Sequence, residues 1–142
     1  KHSKTYRAWE VTKTRTTCPY CGVGCQMDLL VKNDEVVGVE PADGNANHGL
    51  LCVKGKFAYH FINHPDRLTM PLIRKNGLLE PASWDEALDY TATRIQAIKE
   101  ESGPHAIAGF ASARATNEDN YVFMKMMRAA IGTNNVDHCA RL

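Results

Sequence analysis

Four cysteines constrain this chain more than any other feature. Cys18, Cys21 and Cys25 fall within the stretch Cys18-Pro19-Tyr20-Cys21-Gly22-Val23-Gly24-Cys25, and Cys52 follows after 26 intervening residues in Cys52-Val53-Lys54-Gly55-Lys56. Gly22 and Gly24 open the loop to positive φ, and Pro19 stiffens its entry. Three thiolates from one tight loop and a fourth from a distance suit a cubane iron–sulfur cluster. Structural zinc also takes four cysteines, but usually as two separated Cys-x2-4-Cys knuckles, which a lone Cys52 does not provide. Disulfides need an oxidising compartment, and cysteines three and four positions apart in one loop are awkward to bridge without strain. The spacing therefore favours a 4Fe–4S cluster, and with it redox chemistry, over zinc or disulfides.

Composition narrows the class further. The 142 residues are 44% hydrophobic with a net charge of +1, a globular balance without the charge bias of a nucleic-acid binder. No apolar run approaches the ~20 residues of a membrane helix, and nothing at the start resembles a secretory or twin-arginine leader, so the expected location is the cytoplasm. The chain starts at Lys1 rather than Met and ends without tail character, and so reads as part of something larger.

The order of local patterns predicts an α+β protein in two parts. Residues 1–13, with Lys1, Lys4, Arg7 and Lys13, read as a linker or N-terminal extension. A β-rich cluster domain is expected over 14–70: a short strand at Thr14–Thr17, a hairpin over 26–40 turning at Asn33-Asp34, a loop over 41–51 that delivers Cys52, and a helix over 54–63. From 71 to 142 the pattern predicts the opening of an α/β cofactor-binding domain. It has a hairpin around Lys75-Asn76-Gly77 and a helix capped by Ser83 and Glu86 with Trp84, Leu88, Ile95 and Ile98 on its apolar face. A buried strand over 106–111 and a second helix over 117–131 follow, in the manner of a parallel sheet. Met124, Met126 and Met127 read as core and helix-face filler, His60, His64 and His138 as structural or surface groups, and Asp85, Glu86 and Glu100 as helix-surface carboxylates.

Five blocks in order resemble the N-terminal part of molybdenum- or tungsten-dependent formate dehydrogenase catalytic subunits. They are the Cys18–Cys25 stretch, Cys52-Val53-Lys54-Gly55, His64-Pro65-Asp66-Arg67-Leu68, Trp84-Asp85-Glu86-Ala87 and Gly132-Thr133-Asn134-Asn135-Val136-Asp137. The resemblance runs from Thr14 onward. It implies Cys18, Cys21, Cys25 and Cys52 as ligands of a 4Fe–4S cluster, and Lys54 as the residue between cluster and pterin, donating to the pterin and standing on the electron path. An exposed lysine is the plain alternative. It also implies a bis-molybdopterin guanine dinucleotide cofactor carrying Mo or W, formate and carbon dioxide as substrates, and as partners the remainder of the subunit and other iron–sulfur or flavin subunits. The segment ending in His138-Cys139-Ala140-Arg141-Leu142 resembles the run into the metal-ligating cysteine or selenocysteine and the catalytic histidine, so those residues are expected beyond Leu142, leaving Cys139 a packed thiol near the metal.

Arg114 and Asn117, in Ser112-Ala113-Arg114-Ala115-Thr116-Asn117-Glu118, lie between a strand and a helix start, where α/β proteins bind nucleotides. They are candidates for cofactor phosphate or pterin, against a capping Asn117 beside an exposed arginine. A nitrate reductase of the same family and a pterin-free electron-relay subunit of a respiratory-type complex remain as alternatives.

Overall fold

The computed structural model of the chain describes residues 6–139. The basic start with Lys1 and Lys4, the terminal Ala140-Arg141-Leu142 and the side chain of Cys139 lie outside what is described. The described residues divide into two compact units, 6–67 with Ser112–Asn120 and 68–111 with 121–139.

The first unit is built on a three-stranded antiparallel sheet of order β1-β2-β3, with β1 at Thr12–Thr17, β2 at Gln26–Lys32 and β3 at Glu35–Pro41. Thus β1 begins two residues inside the stretch read as a linker, after a 3₁₀ turn at Ala8–Glu10. Asn33 (φ 51°) and Asp34 (φ 62°) both adopt the left-handed conformation that a two-residue hairpin turn requires. Strand alternation puts Met27, Leu29 and Val31 on one face of β2, yet Leu30 is the most buried of this run, at 1% exposure. Both faces are covered. Met27 and Val39 pack with Cys18 on one side, while on the other Gly38 lies so close to Leu30 and Tyr6 that a Cβ there would stand 2.6 Å from the Tyr6 hydroxyl. A bulge between Leu30 and Val31 shifts the register between them.

The expected helix over 54–63 is two pieces, α1 at Val53–Phe57 and a 3₁₀ turn at His60–Asn63. The break has a cause in hydrogen bonding: the Tyr20 hydroxyl donates to the Ala58 carbonyl, and the Tyr59 hydroxyl donates to Val37 C=O at 3.0 Å. The first occupies a carbonyl that a continuous helix would offer to the Ile62 N–H, which bonds to Tyr59 C=O at 3.1 Å instead.

In the second unit β4 (Leu72–Lys75) and β5 (Leu78–Pro81) form an antiparallel hairpin, turning at Asn76 (φ 49°) and Gly77 (φ 86°). Helix α2, Trp84–Ser102, starts where the sequence placed it, with Ser83 Oγ accepting the Glu86 N–H at 3.1 Å. The reciprocal arm of the capping box does not form, because the Glu86 carboxylate takes Lys75 Nζ at 2.7 Å instead. Of its expected apolar face, Trp84 and Leu88 are exposed and Ile95 is half-buried.

The strand expected over 106–111 starts later, as β6 at Gly109–Ser112, because Pro104–Ala106 forms a 3₁₀ turn after Gly103. The second helix is α3, Asn117–Lys125, continuing as a π-helical turn over Met126–Ile131. Gly132, left-handed at φ 90°, ends that turn by donating to Met127 C=O at 2.9 Å. Strand β7, Val136–Cys139, pairs with β6, giving strand, helix, strand in sequence. Met127 is core as expected, while Met126 is exposed. The architecture is mixed helix and strand with small sheets.

Candidate metal centre

The β1–β2 connection is the cysteine loop itself. Ladder pairing ends at Thr17 opposite Gln26, and the Cys18 N–H donates to the Cys25 carbonyl at 2.8 Å, closing the loop at its mouth. Cys18 and Cys25 therefore face each other at the neck and Cys21 sits in the turn, with Gly24 taking φ 76°, a conformation L side chains rarely adopt. Tyr20 anchors the outer side of the loop to Ala58.

Cys52 arrives from the other direction. The loop over 42–51 is organised by Asn47, which is buried at 8% exposure. Its Oδ1 accepts the Gln26 N–H at 3.0 Å, and its Nδ2 donates to the carbonyls of Gln26, Ala42 and Leu50 at 3.1, 2.9 and 2.9 Å. One side chain thus ties the start of β2, beside Cys25, to Leu50, two residues before Cys52. Cys52 then occupies the N-cap of α1. Gly55 brings that first turn against the loop, since a Cβ on it would lie 3.4 Å from Cys18 Sγ.

Electrostatics differ around the ring. Burial pushes the Cys18 thiol up, the Tyr20 N–H opposes this, and the charges of Cys25, Cys21 and Cys52 push it further. Cys52 is exposed and goes the other way: the Gly55 N–H pulls it down against a desolvation penalty, aided by the Lys54 N–H and ammonium. All four are free thiols, from buried Cys18 to exposed Cys52.

This donor set suits a 4Fe–4S cluster. The charges of the other three thiols all act on Cys18. Met27 and Val39 form an apolar core with Cys18, joined by half-buried Tyr20, Leu29, Leu51 and Tyr59, and burial of this kind is one determinant of cluster potential.

The other candidates fall out unequally. Lys54 is exposed on the first turn of α1 and its charge reaches Cys52. Arg114 is exposed, its backbone N–H held by Ser112 Oγ at 3.0 Å. Asn117 donates from Nδ2 to the Gly22 carbonyl at 2.7 Å, inside the cysteine loop. Sequence reasoning missed Asn47 and Tyr20 as organisers and the Asn117–Gly22 contact: an asparagine in a polar loop looks ordinary, and 95 positions separate Gly22 from Asn117.

Comparison with known proteins agrees with this arrangement. Residues 11–64 match the family described as the molybdopterin oxidoreductase Fe4S4 domain, and residues 67–142 match molybdopterin oxidoreductase. The chain is 50% identical over 134 residues, 94% of its length and 19% of the relative's, to the F420-dependent formate dehydrogenase 1 subunit alpha of Methanococcus maripaludis. It is 48% identical over 136 residues, 95% of its length and 14% of the relative's, to a protein of Staphylococcus aureus (strain USA300) assigned by its name to the formate dehydrogenases. The chain thus spans less than a fifth of the length of these relatives. Its two domains imply a 4Fe–4S cluster and a molybdopterin cofactor. With an Fe4S4 domain followed by a molybdopterin-binding one, the chain belongs to the molybdopterin oxidoreductases.

Proposed function

We propose that the chain is the N-terminal part of a formate dehydrogenase catalytic subunit and that Cys18, Cys21, Cys25 and Cys52 ligate its 4Fe–4S cluster. The observation that carries this is the three-thiol hairpin loop packed against the turn that Cys52 caps, where a Cβ on Gly55 would stand 3.4 Å from Cys18 Sγ. It is supported by near 50% identity to a formate dehydrogenase alpha subunit. On this reading residues 14–70 form the cluster domain and 71–142 begin the domain for a bis-molybdopterin guanine dinucleotide carrying Mo or W. When bound, the cluster relays single electrons between the pterin-held metal and the acceptor subunits, iron–sulfur or flavin.

The residues of the chain hold and tune that relay. The hairpin neck sets the Cys18–Cys25 spacing, and the apolar packing around Cys18 limits water. Gly55 and Lys54 N–H groups stabilise negative charge on Cys52 sulfur. Lys54 presents a cation beside Cys52, and its three donors suit a pterin edge. Arg114 offers a planar, permanently charged fork for a cofactor phosphate. We place the protein in the cytoplasm, where thiols stay reduced until a cluster is loaded.

The test is turnover by the full-length subunit, purified without oxygen and analysed for metal. Formate-dependent viologen reduction with Mo or W present is the expected result. Nitrate-dependent oxidation of reduced viologen without formate activity would assign it to the nitrate reductases instead, and a cluster without Mo or W would make it a pterin-free relay.

A further inference from the structure

Gly22, expected to take a positive φ, does not: its backbone is open to any L residue, unlike that of Gly24 at 76°. What excludes a side chain there is Asn117. A Cβ on Gly22 would overlap the Asn117 carboxamide, standing 3.1 Å from its Cγ and closer still to Oδ1. In the same contact Asn117 Nδ2 donates to the Gly22 carbonyl at 2.7 Å.

Asn117 is itself firmly placed at the start of α3. Thr116 and Asp119 hold each other at the helix entry, with Thr116 Oγ1 donating to Asp119 Oδ2 at 2.8 Å and the Asp119 N–H donating to Thr116 Oγ1 at 3.2 Å. Asn120 Nδ2 donates to the carbonyls of Ser112 and Thr116, both at 3.1 Å, fixing the β6–α3 connection. A rigid element therefore presents one carboxamide to the turn between Cys21 and Cys25.

We propose that Asn117 is a positioning residue for the iron–sulfur loop, and that Gly22 must be glycine because this carboxamide occupies the place of its Cβ. The inference rests on the cluster assignment above and assigns Asn117 to the cluster rather than to the pterin. The physical link is the Gly22–Val23 peptide plane. A trans peptide is rigid, so holding the Gly22 carbonyl also fixes the direction of the Val23 N–H on its opposite edge. N–H orientation around the sulfurs and loop rigidity both enter a cluster's potential and its retention. Asn117 would act on the cluster through the loop backbone, by its bond to the Gly22 carbonyl.

The experiment compares the full-length enzyme with Asn117→Asp, Asn117→Ala, Gly22→Ala and the double variant Gly22→Ala/Asn117→Ala. The readouts are iron per subunit, rate of cluster bleaching in air and midpoint potential by EPR-monitored titration. Asn117→Asp keeps the shape and removes the donor, so it should bleach about five-fold faster, the worth of one hydrogen bond, with a shifted potential and unchanged molybdenum or tungsten content. Gly22→Ala should be the most damaged in cluster content, and adding Asn117→Ala should restore it to the level of Asn117→Ala alone. Wild-type potential and bleaching in Asn117→Asp, tolerance of Gly22→Ala, or a double variant no better than Gly22→Ala would each overturn the proposal while leaving the cluster assignment intact. A wild-type enzyme without a cubane cluster would overturn both.

Discussion

As the proposed ligands of one centre, Cys18 and Cys52 would bring opposite surroundings to it, the first buried and apolar, the second exposed and stabilised as thiolate by N–H groups and Lys54. That asymmetry puts the tunable side of the centre at α1. Lys54→Met in the full enzyme should keep iron and pterin-metal content and lower kcat by about ten-fold, roughly what losing one charge-assisted hydrogen bond costs. Unchanged turnover would make Lys54 a surface residue. Asn47 works by different means, satisfying four backbone groups from inside the fold. Asn47→Leu strands the Gln26 N–H and the Ala42 and Leu50 carbonyls, the Gln26 carbonyl keeping the Ala42 N–H, and should cost about 2–3 kcal/mol in denaturant unfolding, with weaker cluster retention because Cys52 is less firmly delivered. The four candidate cysteines stand out in the sequence because their spacing is a local signal. Asn47 and Asn117 were not, because their meaning lies in partners 21 and 95 positions away.

Among the elements, hairpins and helix starts were legible where a local chemical signal exists: Asn33-Asp34, Asn76-Gly77 and Ser83 all act as their types predict. Ends and faces were not. Helix 54–63 is broken at Ala58, whose carbonyl takes the Tyr20 hydroxyl while the Ile62 N–H goes to Tyr59 C=O, and Leu30 is buried because Tyr6 covers the second face of the sheet. The β1–β2 pair also carries a pH dependence. The Arg15 side chain donates to Asp28 at 2.5 Å and holds its carboxyl below the usual range. Asp28 ionises more readily folded than unfolded, so the stabilisation is complete above about pH 4 and is lost as pH falls through the lower folded value. Arg15→Met should flatten that acid limb in urea unfolding series; an unchanged limb would show the pair contributes nothing. In β6, Gly109 is buried with Phe123 and Met127 so close that a Cβ would stand 2.7 Å from Phe123 Cζ and 3.1 Å from Met127 Cε. Gly109→Ala should destabilise its unit by about 1–3 kcal/mol through overpacking, read as a lowered thermal midpoint.

For the molecule as a whole, the two matched families, the mixed architecture and the order of the domains agree with what five short motifs implied. The central claim is that one cubane cluster sits on Cys18, Cys21, Cys25 and Cys52, and iron analysis with EPR of the reduced, anaerobically purified full-length subunit tests it most directly. The account predicts a reduced cubane signal that disappears when Cys21 or Cys52 is changed to serine, together with the loss of about four iron atoms per subunit. Stoichiometric zinc on these sulfurs in the wild type, with iron content and EPR signal unaffected by either substitution, would contradict it.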